Sequence, residues 1–178
     1  MIHVNSGRPA ETLNRSPKEL AVYDFLDSLD LEYYHADHEA AGTMEACAAI
    51  DEALGVTMCK NLFLTNRQQT NFYLLLMPGE KPFKTKDLSA QINSARLSFG
   101  SAELMEEKLG VLPGSATVFG LLNDSEREVV LLIDRQLLSN EFIGCHPCVN
   151  TSSIKLKTCD LLQRILPALK RSYTVVDL

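Results

Sequence analysis

The chain has 178 residues, 46% of them apolar and 22% charged, which suits one domain with one sizeable core. No run of 18 apolar residues is present, which excludes a membrane-spanning helix, and Met1-Ile2-His3-Val4-Asn5-Ser6 lacks the basic and then apolar pattern of a secretory signal. The net charge of −6 divides unevenly: residues 1–59 hold 3 basic and 11 acidic side chains, and residues 60–178 hold 14 and 12, which excludes an indiscriminate polyanion binder and leaves room for one mildly basic face.

Residues 1–15 carry little periodicity and are expected to form a loose arm, with 16–178 as the domain. Ser16-Pro17-Lys18-Glu19 reads as a helix start, with Ser16 as N-cap, Pro17 at the first helical position and Glu19 as the capping-box acid. Leu20, Tyr23, Leu26 and Leu29 continue it as a helical stripe. Leu31–Ala36 reads as a short strand. Thr43 is placed to cap a second helix that runs to about Leu54 and stops at Gly55. The apolar runs Asn61–Thr65 and Phe72–Met77 suggest a β-hairpin, ended by Pro78-Gly79. Short helices are expected at Thr85–Gln91 and Ser101–Leu109, the latter closed by Gly110. Thr117–Leu122 and Glu128–Ile133 suggest a second hairpin around Asn123-Asp124-Ser125. Strands are expected at Glu141–Cys145 and Ser153–Leu156. A last helix, capped by Thr158, should run from Cys159 to about Leu169 with Pro167 cutting it short, followed by a terminal strand at Tyr173–Val176. Helices followed by antiparallel hairpins argue for a single α+β domain.

Five cysteines, odd in number and widely spread, argue against a disulfide scaffold and for a reducing cytosol. Cys145-His146-Pro147-Cys148 has the C-x-x-C spacing of a redox dithiol, but that chemistry needs a helix to open directly after it, and Val149–Leu156 reads as loop and strand. A zinc site would need a second ligand pair, and none is present. Lys60, at the start of an apolar run, is either a solvated strand end or a cation aimed into a pocket. Gly110–Thr117 leads into the next element with glycines that permit close approach of backbone N–H groups to an oxyanion, although it is neither a Walker A loop nor a dinucleotide fingerprint. His146 sits between glycine and proline with Asn150 and Thr151 close by, a richer context than those of His3, His35 and His38.

In order, Lys60-Asn61-Leu62-Phe63-Leu64, Leu109–Thr117, Phe119–Asp124 and His146-Pro147-Cys148-Val149-Asn150-Thr151 resemble the YbaK/prolyl-tRNA-synthetase-associated domain family, and within it the free-standing ProX type, an alanyl-tRNA(Pro) deacylase. The resemblance covers about residues 16–178. It implies an α+β fold with a mixed, strongly curved sheet surrounded by helices. It also implies a cytoplasmic trans-editing hydrolase, needed because a synthetase pocket sized for proline cannot strongly reject alanine: missing methylenes are worth only about 1–3 kcal/mol. Lys60 matches the family lysine that would hold the 3′ end of the tRNA, supported by Asn61. Gly114, Ser115, Ala116 and Thr117 match the substrate loop, His146 the histidine near the amino acid, and Asn150 and Thr151 the residues that would brace that loop. Lys60, Gly114 and His146 are thus the catalytic candidates. No cofactor and no metal are implied. The implied partner is mischarged proline tRNA through its 3′ end and acceptor stem, with prolyl-tRNA synthetase as a transient companion and neither membrane nor DNA expected. Val118 departs from the family proline and puts the stiffness of the loop in question. Two alternatives stay open: a deacylase of another small residue, such as Cys-tRNA(Pro), and a non-catalytic aminoacyl-tRNA binding module of the same fold.

Overall fold

The computed structural model describes residues 2–41 and 44–178, and the strands it contains divide between two sheets. In chain order the elements are β1 (Val4–Ser6), α1 (Pro17–Ser28), β2 (Tyr33–Asp37), α2 (Met44–Leu54), β3 (Lys60–Asn66), β4 (Phe72–Met77), α3 (Thr85–Gln91), β5 (Leu97–Phe99), α4 (Ala102–Leu109), a 3₁₀ turn (Val118–Leu122), β6 (Val129–Asp134), α5 (Arg135–Leu138), β7 (Phe142–Cys145), β8 (Ser152–Lys157), a helical segment at 158–168 and β9 (Tyr173–Val176). The smaller sheet is antiparallel, in the order β1-β2-β8-β7. The larger, β5-β3-β4-β6-β9, is antiparallel at β5/β3/β4 and parallel at β4/β6/β9.

β4 shows why the larger sheet forms. Successive side chains of a strand point to opposite faces. Leu74 and Leu76 enter the main core, which also holds Tyr23 and Leu26 of α1 and Ile154 and Leu156 of β8. Leu75 and Met77 enter a second core with Leu88 of α3 and Leu132 of β6. A strand buried on both faces reads as the unbroken apolar run Phe72–Met77, the pattern of a central strand, here with antiparallel β3 on one side and parallel β6 on the other. A third, small cluster packs Ile50 and Leu54 of α2 against Ala36 of β2.

Helix ends follow local chemistry. The hydroxyl of Ser16 accepts from the Glu19 N–H, with Pro17 inside the first turn, as expected. The carboxylate of Glu19 pairs with Arg15 rather than closing a capping box. α3 and α4 lie where the sequence put them; Ser101 caps α4 and Gly110 ends it.

Several expectations are corrected. The fold is α+β, but its strands form two sheets, with no single strongly curved one. The segment 1–15 is not a loose arm throughout: Val4–Ser6 pair with Tyr34–Ala36, and the Gly7 N–H donates to the Tyr33 carbonyl at 2.8 Å. Thr43, expected to cap α2, lies outside the described residues. The second hairpin does not form. Val118–Leu122 is a 3₁₀ turn capped by Thr117, and β6 pairs in parallel with β4 and β9. Asn123-Asp124-Ser125 looks like a hairpin turn, but the Asp124 carboxylate accepts the N–H groups of Glu128 and Val129 and starts β6 instead. The last helix begins at Thr158 with Lys157 as N-cap, and the Thr158 hydroxyl caps nothing. Leu161–Ile165 is π-wound before the helix resumes at Leu166–Ala168. Pro167 stands inside that helix rather than breaking it, and a wider turn accommodates its missing N–H.

Candidate active site

The two sheets touch where β3 begins. Met58 bridges Gly144, and the Cys59 N–H donates to the Gly144 carbonyl at 3.0 Å. A Cβ on residue 144 would lie 2.7 Å from the Met58 sulfur and 3.2 Å from its Cα, so glycine allows this approach without displacing Met58. A cavity of about 600 Å³ opens at the junction. Its wall includes Asp51 from α2, Thr57, Cys59 and Lys60 from the entry to β3, Gly79 and Glu80 after β4, Gly114 from the loop before the 3₁₀ turn, and His146, Asn150 and Ser153 around the start of β8.

Of the nine residues singled out in the sequence, Lys60, Gly114, His146 and Asn150 meet on this wall. The ammonium of Lys60 donates to the Lys81 carbonyl at 2.8 Å, which uses one of its three protons. Lys81 is itself fixed by an ion pair at 2.8 Å with Asp134, whose side chain is 1% exposed. Gly114 has φ +88°, and a Cβ there would stand 3.7 Å from Asn150 Nδ2, so the two loops lie in contact across the cavity mouth.

The other five do not line the cavity. Strand alternation puts Asn61 on the face of β3 opposite Lys60, where its amide donates to the carbonyl and the sulfur of Cys59. It does not support Lys60 directly. The Ser115 hydroxyl donates to the Leu112 carbonyl at 2.8 Å and accepts from the Leu112 N–H at 3.2 Å, which closes the loop on itself. Thr117 caps the 3₁₀ turn, and Ala116 is half-buried between them. These bonds stiffen the loop by side-chain contacts where the family pattern would use a proline, and Val118 is buried as the first residue of the turn. The Thr151 side chain is exposed, while its carbonyl accepts the His38 N–H at 3.0 Å.

The tautomer of His146 is fixed by its neighbours. Its Nδ1 lies 2.9 Å from the Ser152 carbonyl, which is an acceptor only, so Nδ1 holds the proton and Nε2 is the free nitrogen of the neutral ring. Burial lowers its pKa below the ordinary histidine value. The bond to Ser152 opposes that shift, and His38 adds to it. Asp51 is shifted the other way: burial raises its carboxyl, the Met58 N–H donating to it at 3.0 Å partly offsets the rise, and Glu80 adds to it. Four contributors on or behind this wall were missed in the sequence: His38, Ser153, Asp51 and Glu80. His38 and Ser153 stand 115 residues apart, and no local pattern joins them.

The thiols offer little nucleophilic chemistry. Burial drives Cys145 well up and Cys148 and Cys59 to about 12. Among the described residues no group of three or more His, Cys, Asp or Glu side chains is placed to hold a metal ion, and no helix is long and apolar enough to cross a membrane.

The profile of the aminoacyl-tRNA editing domain matches residues 38–163, a span that contains every element of this wall. The chain belongs to the aminoacyl-tRNA editing domain family. It is 29% identical over 158 residues to the prolyl-tRNA editing protein ProX of Acetoanaerobium sticklandii, with 89% of this chain and 96% of that one aligned. It is 30% identical to the prolyl-tRNA synthetase associated domain-containing protein 1 of Danio rerio, over 79% of this chain and 77% of the relative. A solved structure described as a candidate trans-editing enzyme for prolyl-tRNA synthetase superposes with a TM-score of 0.69 at 16% identity, covering 93% of this chain and 98% of that one. At that identity the superposition supports the fold of the editing domain and nothing finer.

Proposed function

We propose that this editing domain is a free-standing hydrolase that removes alanine from mischarged proline tRNA in the cytoplasm. The observation that carries the reading is the convergence of Lys60, Gly114, His146 and Asn150, drawn from three separate parts of the chain, on one cavity. A cavity of about 600 Å³ suits a terminal adenosine with a small aminoacyl group.

Lys60 holds the 3′-terminal nucleotide through its remaining ammonium protons and so fixes the ester. Asp51 and Glu80 supply negative charge for the α-ammonium of the amino acid. His146 Nε2 takes a proton from a water molecule as its oxygen attacks the ester carbonyl carbon. Backbone N–H groups of the Gly114 loop stabilise the oxygen on which charge develops. When the tetrahedral intermediate collapses, the carbon–oxygen bond to the ribose breaks. The proton passes from Nε2 to the leaving ribose oxygen, releasing alanine and tRNA with a free 3′ end. The acceptor stem rests outside the cavity, and prolyl-tRNA synthetase is a transient companion.

The test is deacylation of labelled Ala-tRNA(Pro), with Cys-tRNA(Pro) and Pro-tRNA(Pro) in parallel. Rapid loss of alanine with proline retained is expected. Preferred loss of cysteine would replace the substrate, and no hydrolysis of any of the three would sink the enzymatic reading. Lys60→Ala should abolish turnover with the fold intact; activity retained in a clean preparation would remove the lysine assignment.

A further inference from the structure

Behind His146 lies a buried hydrogen-bond chain that the reaction above does not use. Ser153 is 0% exposed, and its hydroxyl stands between two imidazoles, 2.9 Å from His38 Nε2 and 3.4 Å from His146 Nδ1. The two rings are 6.4 Å apart between centroids. We propose that Ser153 and His38 are positioning residues for His146, holding its ring with Nε2 toward the cavity and coupling its proton to the state of the second imidazole. The proposal rests on the reading of His146 as the group that handles the proton of water.

The bond directions follow from what each atom can do. His38 Nδ1 lies 2.8 Å from the Glu39 carbonyl, so Nδ1 carries the proton and Nε2 of the neutral ring accepts. The Ser153 hydroxyl therefore donates to His38, and its oxygen keeps lone pairs for the His146 Nδ1–H. That N–H bonds chiefly to the Ser152 carbonyl at 2.9 Å and more weakly to Ser153. Every donor in the chain meets an acceptor, and a satisfied buried chain of this kind is stiff. Without it the ring could turn about its outer bond, and Nε2 would leave the line to the ester.

A proton added to His38 reverses the chain. Nε2 becomes a donor to Ser153, and the serine hydrogen is displaced toward a ring nitrogen that already carries one. The pair thus resists adding a proton to both rings at once, each neutral ring already holding its own Nδ1 proton, in keeping with the downward pull of His38 on His146. The other ionisable groups on the wall, Asp51, Glu80, Lys60, Cys47 and Cys59, stay in place in the variants below, as does Glu39 beside His38.

The experiment compares His146→Ala, Ser153→Ala, His38→Leu and His38→Gln on Ala-tRNA(Pro), with thermal midpoints as the folding control. Ser153→Ala and His38→Leu are expected to lower kcat by about tenfold or more with KM within about twofold, because the ring is misplaced and substrate contacts remain. His38→Gln offers a carbonyl oxygen to Ser153 and should recover most of kcat. Both His38 variants should move the acid limb of the kcat/KM profile to higher pH. In histidine-labelled wild-type protein, ¹⁵N spectra should find both rings protonated at Nδ1. His146→Ala slowing hydrolysis while the Ser153 and His38 variants keep wild-type kcat and acid limb would overturn the proposal, as would an Nε2-protonated His38. A silent His146→Ala would instead remove the reading of His146, and the relay with it. His38 is only half-buried, so its two variants carry the test if Ser153→Ala does not fold.

Discussion

Asp124 with Arg171, and His146 with Lys60, are both sets of polar side chains placed in apolar surroundings, yet they are satisfied to different degrees. Asp124 and Arg171 are 2% and 5% exposed and 2.9 Å apart. The same carboxylate accepts the N–H groups of Glu128 and Val129, and Arg171 reaches the Leu121 and Val129 carbonyls. His146, by contrast, has one nitrogen committed and one open, and Lys60 has spent one proton of three. The closed cluster ties the 3₁₀ turn to β6 and the C-terminal strand, and the open one keeps capacity for a substrate. A carboxylate with its N–H and guanidinium partners all inside the fold marks a structural anchor, and spare valence at a cavity wall a functional one, although Arg171 Nε is itself buried without a partner.

That contrast can be broken at either end. The largest effect is expected at the open cluster: His146→Ala should slow deacylation by about 10²–10⁴-fold, the range for a lost general base, with the thermal midpoint unchanged. A midpoint that fell with activity would make His146 structural. At the closed cluster, Asp124→Ala leaves a buried guanidinium without its partner and should cost about 3–5 kcal/mol in urea unfolding, while the folded fraction keeps wild-type kcat. Normal stability would show that the pair is not what holds β6.

The pH dependence of stability is smaller and follows from His146. Its folded-state pKa is lowered by burial, so in acid the unfolded chain binds this proton more readily than the folded one. Stability from this group is present above about pH 6.5, the unfolded value, and is lost as pH falls through the lower folded value. Unfolding midpoints should decline on that side, and His146→Ala should flatten the decline; an identical profile in the variant would contradict it. The smallest effect concerns the thiols. Brief alkylation of native protein followed by mass spectrometry should label exposed Cys47 and Cys159 and spare Cys59, Cys145 and Cys148. Rapid labelling of Cys145 or Cys148 would reopen the redox reading of the C-x-x-C spacing.

Most elements were legible because their signals are local. Ser16 and Pro17 start α1, Ser101 and Gly110 bound α4, and the polar stretch 66–70 separates two apolar runs that pair as β3 and β4. The direction of pairing was not legible at β6, since Val129–Ile133 reads alike beside parallel or antiparallel neighbours. The π-wound turn before Pro167 escaped for a related reason: a proline reads as a stop unless the preceding turn is known to widen. At the cavity, Lys60, the loop that holds Gly114, and His146 with Asn150 stood out by local context, but only the resemblance to a family gave them roles in one site. His38 and Ser153 acquire meaning only when β2 and β8 are laid side by side.

That pairing also sets the order in which a working molecule can come into being. Tyr33–Asp37 must wait for Ser152–Lys157, more than a hundred residues later, before the smaller sheet can close. The β3–β4 hairpin can form while synthesis continues, because its strands are sequence neighbours, but contacts so far apart are slow to form and late to arrive. A nascent chain halted near residue 140 would hold Lys60 on a formed hairpin and have no His146 to set against it. A chain halted there therefore lacks the nitrogen proposed to take the proton from water, however well its hairpin is formed.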